Sequence, residues 1–522
     1  MMFSGHAVTD EKFRRKIKTR EELRSVLGPY PREQKVIMCH GAFDLVHPGH
    51  LRHLMYARGK ADVLVASLTS DLHISKANYR PFVPQALRAM NLAALELVDY
   101  VIVDDNATPL DNIAFLQPDY FAKGYEYFDG PGGIHPKTQK EVEALSAYGG
   151  EMIFTPGDVV FSSSRFIEQT PPAIEVEKLL VLLESEGITF DALRAALDKC
   201  RGLRVHVLGD TIVDSYIYCN PIGSSTSKTP TLSVKLEEQV DFAGGAAVVA
   251  RHIRAAGADV TFSTVLGDDA HKDFVLKEME ECGVRCLPVI DPTRPTTQKA
   301  AYIANGYRLL KVDKVDNRPI AEKIVSQFRS ALENAQVDAY VFSDFRHGIF
   351  SKQTIPELTA SLREGPIRVA DSQVASRWGN ILDFHGFDLI TPNEKEARFS
   401  LADQDSVIRP LALELYKRAG CKTLILKMGE RGIITYRAPS HSVRSFFTID
   451  SFAGHVVDPV GAGDALLAYS TLGLTATGNP VIASVLASMA AGVACEHDGN
   501  TPITPTQVLD KINAVEKRVQ FA

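Results

Sequence analysis

The sequence predicts an α/β protein of two consecutive domains, each built on a mostly parallel sheet, the second carrying a small β lid. Three observations carry that prediction. The 522 residues exceed what one hydrophobic core usually supports. Apolar strand-like runs alternate with helical stretches, an order that implies parallel pairing. The alternation is broken once, at Pro171-Pro172, before it starts again.

The first domain is assigned to residues 1–170. Val36, Ile37 and Met38 form an apolar strand, a Gly- and His-containing loop follows, and a helix is expected from about Pro48 to Arg58. The next elements are a strand at Val63 to Leu68, a helix at Pro84 to Leu97 and a strand at Tyr100 to Val103. A helix near Asp111 to Leu116 and a strand near Tyr120 to Ala122 continue the series. This order reads as a doubly wound sheet. Residues 171–200 form a helical linker, with helices at Ile174 to Ser185 and Phe190 to Lys199. The second domain, 201–522, opens on a strand at Arg204 to Leu208. A polar, turn-rich insertion at Tyr216 to Glu238 supplies the β lid.

Composition excludes several classes of function. Hydrophobic residues are 45% and charged residues 23%, values of an ordinary globular chain. A net charge of -7 argues against a nucleic-acid partner, and the basic stretch Lys12 to Arg20 is short enough to be a solvated helix face. The longest apolar run, Val481 to Ala494, is interrupted by Ser484, Ser488 and Gly492, so no membrane partner and a cytoplasmic location are expected. Seven scattered cysteines indicate neither a disulfide framework nor a zinc site, and no protein-held metal is assigned.

The first chemical site is the loop from Gly41 to His50, where His47 and His50 stand three apart at a strand-to-helix handover. Helix N-termini attract phosphate through free N–H groups and the dipole. Two imidazoles there can steady a triphosphate as pyrophosphate departs, and Gly49 lets the backbone approach. The simpler reading of an isolated HxGH is a helix start. Its company favours chemistry: Ser70-Asp71, Lys76 with Arg80-Pro81, Arg88 before Val98-Asp99, Pro118-Asp119 before Lys123-Gly124, and Ser162-Ser163-Ser164.

From Val36 to Ile167 this segment resembles the Rossmann-like nucleotidyltransferases that include cytidylyltransferases, and more closely the adenylyltransferase half of bifunctional heptose enzymes. The resemblance implies that His47 and His50, with Phe43, Asp44 and Gly49, hold the nucleotide. Lys76, Arg88 and Lys123 would neutralise its phosphates and those of the sugar, and Ser162 to Ser164 would seat a phosphate at a second helix start. The nucleophile is then the sugar's own phosphate oxygen, largely dianionic near neutral pH, so the reaction needs positioning more than a protein base. His40 and Ala42 stand where the heptose enzymes usually show Asn and Val or Cys.

The second chemical site is Asp458-Pro459-Val460-Gly461-Ala462-Gly463-Asp464, ahead of an apolar helix from about Ala465. Small residues let amides face an oxyanion, and Asp464 can take the proton of an attacking hydroxyl. Alone, this is also a turn with an N-cap aspartate. Gly209-Asp210, Asp214, Gly244-Gly245, Arg294-Pro295-Thr296-Thr297-Gln298-Lys299, Ser343-Asp344, Asn393 with Glu396, and Gly429 with Gly432 accompany it in order.

From Arg204 to Val515 the chain resembles the ribokinase-type carbohydrate kinases, and its Arg-Pro-Thr-Thr segment resembles the heptose-7-phosphate kinase branch. The resemblance implies ATP and Mg2+ as cofactors, with a second NTP, ATP or CTP, at the transferase. Asp464 is then the base and Gly461, Ala462 and Gly463 the anion hole. Asn393 and Glu396 lie near the magnesium and phosphates, and Gly429 meets the nucleotide. Asp210, Asp214, Gly244, Gly245, Arg294 and Lys299 bind sugar. Val248 stands where these kinases usually have Asn, and Pro459 where they have Thr. The kinase follows the transferase, the reverse of the well-known bifunctional order. The expected partners are a sugar phosphate and nucleotides, a second copy of the chain in a homodimer, and a separate phosphatase acting between the two steps. A second reading keeps both chemistries on another phosphorylated sugar or polyol. A third leaves one domain as a binding module.

Overall fold

The computed structural model describes residues 7–74, 81–124, 128–129, 133–134, 136–155, 175–222, 232–373, 380–438, 445–497 and 499–521. Contacts divide the chain into two compact units, with the division after Ile174.

The first unit is a five-stranded sheet of β1 (Val36–Gly41), β2 (Val63–Thr69), β3 (Tyr100–Asp104), β4 (Tyr120–Gly124) and β7 (Glu151–Thr155), with a separate two-stranded pair, β5 (Phe128–Asp129) and β6 (Gly133–Ile134). Its order is β3-β2-β1-β4-β7, with every pairing parallel. β1 and β2 are almost wholly buried apolar runs, as strands covered on both faces require. The order reverses direction between β1 and β4, which opens a crevice at their C-terminal ends. The helix Pro48–Arg58 follows β1, with Pro48 at its first position and His47 as its cap. The expected helix at Pro84 to Leu97 is shorter, Gln85–Ala93, because the chain tightens at Ala94 and Leu95 before β3.

The second unit begins with the helices Glu175–Ser185 and Phe190–Lys199, the latter capped by Thr189. Its main sheet joins β8 (Arg204–Gly209), β11 (Asp259–Leu266), β12 (Arg285–Ile290), β15 (Ala339–Asp344), β16 (Ile367–Ser372), β17 (Leu389–Ile390), β18 (Thr423–Lys427), β19 (Ile433–Tyr436) and β20 (Phe446–Ile449). The order is β12-β11-β8-β15-β16-β17-β18-β19-β20, parallel as far as β18 and antiparallel over the last two steps. The helices Ala246–Ala255, Ala462–Thr477 and Pro480–Cys495 are buried along most of their length in the main core.

The lid is larger than the expected insertion. β9 (Thr211–Ile222) and β10 (Ser233–Gly245) are long strands, and β13 (Gln298–Ala304) with β14 (Tyr307–Lys314) completes a four-stranded sheet in the order β10-β9-β13-β14. β14 is exposed throughout, so no apolar alternation announced it. No helix among the described residues is long and apolar enough to cross a membrane.

Candidate active sites

In the first unit the helix start is built around the two histidines. His47 caps the helix by accepting a hydrogen bond at Nδ1 from the Gly49 N–H at 3.1 Å. Its neutral tautomer therefore carries the proton on Nε2, where it can be donated to a ligand. Burial lowers the proton affinity of His47, so the neutral donor form persists. His50 lies 3.1 Å through Nδ1 from the Leu45 carbonyl, to which it must donate, so its Nε2 donates only in the imidazolium form. The rings stack at 3.9 Å, with Phe43 tilted against His50 at 5.1 Å. A Cβ on Gly49 would stand 2.9 Å from His47 Cε1, so glycine here makes room for that ring.

Lys123 ends β4, beside β1, and forms an ion pair with Glu141. His40 ends β1 with Nδ1 2.9 Å from Ser67 Oγ and Nε2 3.1 Å from Thr69 Oγ1. Burial and then the Lys123 charge push His40 down to about 4. Asp104, 3.7 Å from His40, is held above the usual carboxylate range by burial.

Two sequence assignments change in this unit. Arg88 was expected to meet phosphate, yet its side chain is fully buried. It donates to the carbonyls of Ala42, Val83 and Thr69 and pairs with Asp71 at 2.6 Å. A phosphate reaches it only by displacing these partners, so Arg88 braces the histidine loop. Asp44, expected at the nucleotide, is buried and accepts from the amides of Phe82 and Val83 at 3.0 and 2.8 Å. Lys76 and Ser162, Ser163 and Ser164 lie outside the described residues.

In the second unit the helix begins at Ala462, three residues earlier than expected, because Gly461 takes a left-handed φ of 80° as its cap. That start puts Asp464 in the first turn, among amides with no partner inside the helix. Around Asp464 gather residues from three other strand ends. Lys427, closing β18, donates to Asp371 Oδ1 at 3.0 Å. Thr391 Oγ1 donates to the same oxygen at 2.8 Å. Glu396 and Asn393 close a reciprocal capping box on the helix Glu394–Leu401, with hydrogen bonds of 2.7 and 2.9 Å. Caps are ordinary, but this one is buried and its carboxylate feels both Lys427 and Asp371.

The electrostatics are those of too many carboxylates for one ammonium. Burial, then Asp371 and Asp214, push Asp464 up to about 7 against the pull of Lys427. Burial raises Glu396 to about 7 as well, with Asp371 adding to it and Lys427 opposing. Burial disfavours the Lys427 charge, but Asp371, Glu396 and Asp464 together outweigh it and hold the ammonium protonated. Lys427 and Asp371 escaped the sequence reading. The signal for Lys427 was a charged residue closing an otherwise apolar strand, which in a parallel sheet marks the ligand end, and Asp371 stands one residue before the end of β16.

Asp214, on β9, lies across from Lys299 on β13, and burial raises its proton affinity while Lys299 opposes. A Cβ on Gly244 would stand 2.1 Å from Asp214 Oδ2. Gly245 caps the helix Ala246–Ala255, within which Val248 is buried. Gly429, with φ of 64°, opens the short turn Gly429–Arg431. Two sugar-binding assignments change. Asp210 is fully buried and accepts from the amides of Phe345 and His347 at 3.0 and 3.2 Å, so it orders that loop. Arg294 is buried against Asp291 at 2.9 Å and donates to the carbonyls of Arg318 and Pro319.

Two α/β units, each with a helix N-terminus and its polar residues at the C-terminal ends of parallel strands, define an enzyme that handles phosphates at two sites. The family model described as pfkB family carbohydrate kinase matches residues 203–507, more than half of the sequence, and the chain belongs to that family. A second model, cytidylyltransferase-like, matches residues 38–169. The protein is thus a member of a carbohydrate kinase family whose kinase segment is preceded by a cytidylyltransferase-like domain.

Among curated relatives, the bifunctional protein HldE of Pelobacter propionicus is 26% identical over 335 residues, covering 62% of this chain and 65% of the relative. The protein of the same name from Geobacter metallireducens is 28% identical over 322 residues, covering 59% and 63%. The chain therefore spans about 65% of the length of such relatives. Solved structures similar to it include phosphofructokinase-2 from Escherichia coli in complex with potassium, at 17% identity and a TM-score of 0.49, covering 60% of this chain and 99% of that one. Arabidopsis thaliana ribokinase complexed with ribose and ATP gives 15% identity and a TM-score of 0.48, with the same coverage.

Proposed function

We propose that the protein phosphorylates a phosphorylated sugar at its anomeric hydroxyl and converts a sugar 1-phosphate to a nucleotide sugar, the sugar being a heptose destined for cell-surface polysaccharide. The observation that supports this most directly is the placement of Asp464 in a helix's first turn within the field of Lys427, Asp371 and Asp214.

In the kinase step the acceptor oxygen attacks the γ-phosphorus of ATP, the bond to the β-phosphate oxygen breaks, and the hydroxyl proton passes to Asp464. A carboxyl near 7 suits that proton transfer, since a base works best near the operating pH. The amides of Gly461, Ala462 and Gly463 face the charge that develops. The surplus carboxylates fit Mg2+ arriving with ATP near Asn393 and Glu396, where it supplies charge neutralisation for the phosphates. In the transferase step a sugar phosphate oxygen attacks the α-phosphorus of ATP or CTP and pyrophosphate leaves. Nε2–H of His47 donates to the nucleotide's phosphates, and His50 does so once protonated beside them. Lys123 and Gly49 complete that helix start, with Phe43 packed behind it.

In such a route a separate phosphatase removes the first phosphate between the two steps. The lid face carrying Leu236, Leu310 and Val312, 44–59% exposed, suits a homodimer contact, which sedimentation of the whole chain tests.

The decisive assay follows ADP and pyrophosphate separately with heptose 7-phosphate, heptose 1-phosphate and each nucleotide. Asp464→Asn is expected to lower ADP release by about 10²–10⁴-fold and spare pyrophosphate release. His50→Ala is expected to do the opposite, by about 10²–10³-fold. Unchanged ADP release in Asp464→Asn sinks the kinase assignment.

A further inference from the structure

A second cavity of the kinase unit lies away from the residues gathered around Asp464. It holds about 400 Å³ and is lined by Arg251, Arg254 and Ala255 of one helix, with Gly257, Cys282 and Pro502. Arg251, Arg254 and Ala255 are spaced i, i+3 and i+4, so they share one face of the helix Ala246–Ala255 at its C-terminal end. The other end of that helix is capped by Gly245, next to the Gly244 that lies against Asp214. Nine residues of helix, roughly 14 Å, therefore separate Arg254 from the sugar end of the kinase site.

Arginines near a helix C-terminus usually serve its carbonyls and dipole. Arg254 does this with one edge, donating through NH1 to the Ala258 carbonyl at 3.0 Å and, at 3.4 Å, to Asp259. Its Nε edge runs past Gly283, where a Cβ would stand 3.3 Å from Nε, so glycine leaves that edge its room. Arg251 serves nothing. Its side chain is only 14% exposed, yet its Nε is buried without a partner among the described residues. The Glu278 carboxylate approaches it no closer than 3.8 Å, too far for a hydrogen bond. A guanidinium withdrawn from water without hydrogen bonds is costly, and an anion offsets that cost. The stem of Arg201 crosses Gly257 at the same cavity, which sets three arginines against the carboxylates of Glu278 and Asp259.

We infer that this cavity is a binding site for a phosphate monoester, separate from both chemical sites, with Arg251 and Arg254 holding the phosphate. Planar guanidinium forks match a dianionic phosphate oxygen for oxygen. The volume exceeds that of a bare phosphate and suits an ester of metabolite size. The wall opposite the arginines is already in place. Next to Pro502, the Ile503 N–H donates to the buried His252 Nδ1 at 3.1 Å, and the Ile503 carbonyl accepts from the Tyr469 hydroxyl at 2.9 Å. Little has to be ordered when a ligand enters, which favours affinity.

The test titrates the whole protein in a calorimeter with inorganic phosphate, glycerol 3-phosphate and AMP, while a non-hydrolysable ATP analogue and Mg2+ keep the nucleotide sites filled. Saturable binding is expected, weakened about tenfold or more in Arg251→Met and in Arg254→Gln. Arg251→Lys keeps the charge but not the fork, and its affinity should fall between parent and Arg251→Met. Without ester, ADP release by these variants should match the parent's within about twofold. Arg254 is 37% exposed, so Arg254→Gln carries the test if Arg251→Met melts early. Tightest binding of AMP identifies a nucleoside phosphate, and tightest binding of glycerol 3-phosphate a sugar or polyol phosphate. Equal affinity for all three shows that the phosphate alone is read, and each of these results supports the site. The absence of saturable heat with any of the three overturns it, as does an affinity that is unchanged in the folded arginine variants.

Discussion

The two chemical sites use charge in opposite ways. In the transferase unit Arg88, Asp71, Asp44, Lys123 and Glu141 are bonded to one another or to backbone, and two stacked imidazoles stand at the helix start. In the kinase unit Asp464 and Glu396 are both pushed up to about 7 around one lysine. One site has spent its charges on a fixed loop. The other holds repulsion that cationic ligands relieve. The difference teaches that a charged residue in a motif is no guide to its target until its partners are known.

The largest expected effect breaks the transferase side of the comparison. Arg88→Met removes one donor from the Asp71 carboxylate and from each of the Ala42, Val83 and Thr69 carbonyls. Removing one partner of a buried pair costs about 3–5 kcal/mol. Calorimetry of the whole chain should show the first unit melting earlier while ADP release persists. A variant that melts with the parent and instead shows a raised KM for nucleotide would return Arg88 to the phosphates.

Arg88 also shows what the sequence could carry. The alternation of strands and helices and the two glycine-bearing loops were legible, because periodicity and turn chemistry are local. Which arginine is free is decided by chain segments far apart, here Ala42, Thr69 and Asp71 around residue 88, so Arg88 read as a phosphate ligand and Arg294 as a sugar ligand. Lys427 and Asp371 went unread for the converse reason. Neither sits in a motif, and only the parallel pairing of β16, β17 and β18 carries their strand ends to one place. The lid was half legible, its polar insertion visible and the strand Tyr307–Lys314 hidden by having no buried face.

A smaller effect probes the kinase side. A carboxyl whose proton affinity rises on folding contributes stability below the ordinary carboxylate range, and that contribution is lost as pH climbs through about 7. Asp464→Asn removes the cost, so the variant should melt above the parent at pH 8. The gap should shrink steadily toward pH 4. At roughly 2–4 °C per kcal/mol for a domain of this size, a gap on the order of 5 °C at pH 8 is expected. Over the same window the parent's ADP release should rise with pH, as the base loses its proton. A gap that is the same at pH 5 and pH 8 would show that Asp464 ionises as an ordinary carboxylate. Adding Mg2+ and ATP should narrow the gap, because cations relieve the repulsion that the substitution removes.

The smallest effect tests what the two sites share. Each seats a functional side chain over a glycine, His47 over Gly49 and Asp214 over Gly244, and the clearances differ. A Cβ at Gly49 meets the edge of an imidazole at 2.9 Å, which a small ring rotation relieves. At Gly244 it meets the Asp214 carboxylate at 2.1 Å and the Ile212 carbonyl at 3.3 Å, so the carboxylate must leave its place. Misplacing a group by about 1 Å can cost up to 10²-fold in rate. Gly244→Ala should therefore lower kcat/KM for the acceptor by about tenfold or more, and Gly49→Ala should lower pyrophosphate release by only a few-fold, each sparing the other reaction. With Asp214 as a sugar ligand, the Gly244→Ala loss should appear mainly in KM for the acceptor. A loss confined to kcat would instead mean that Asp214 acts on Asp464 and not on the sugar.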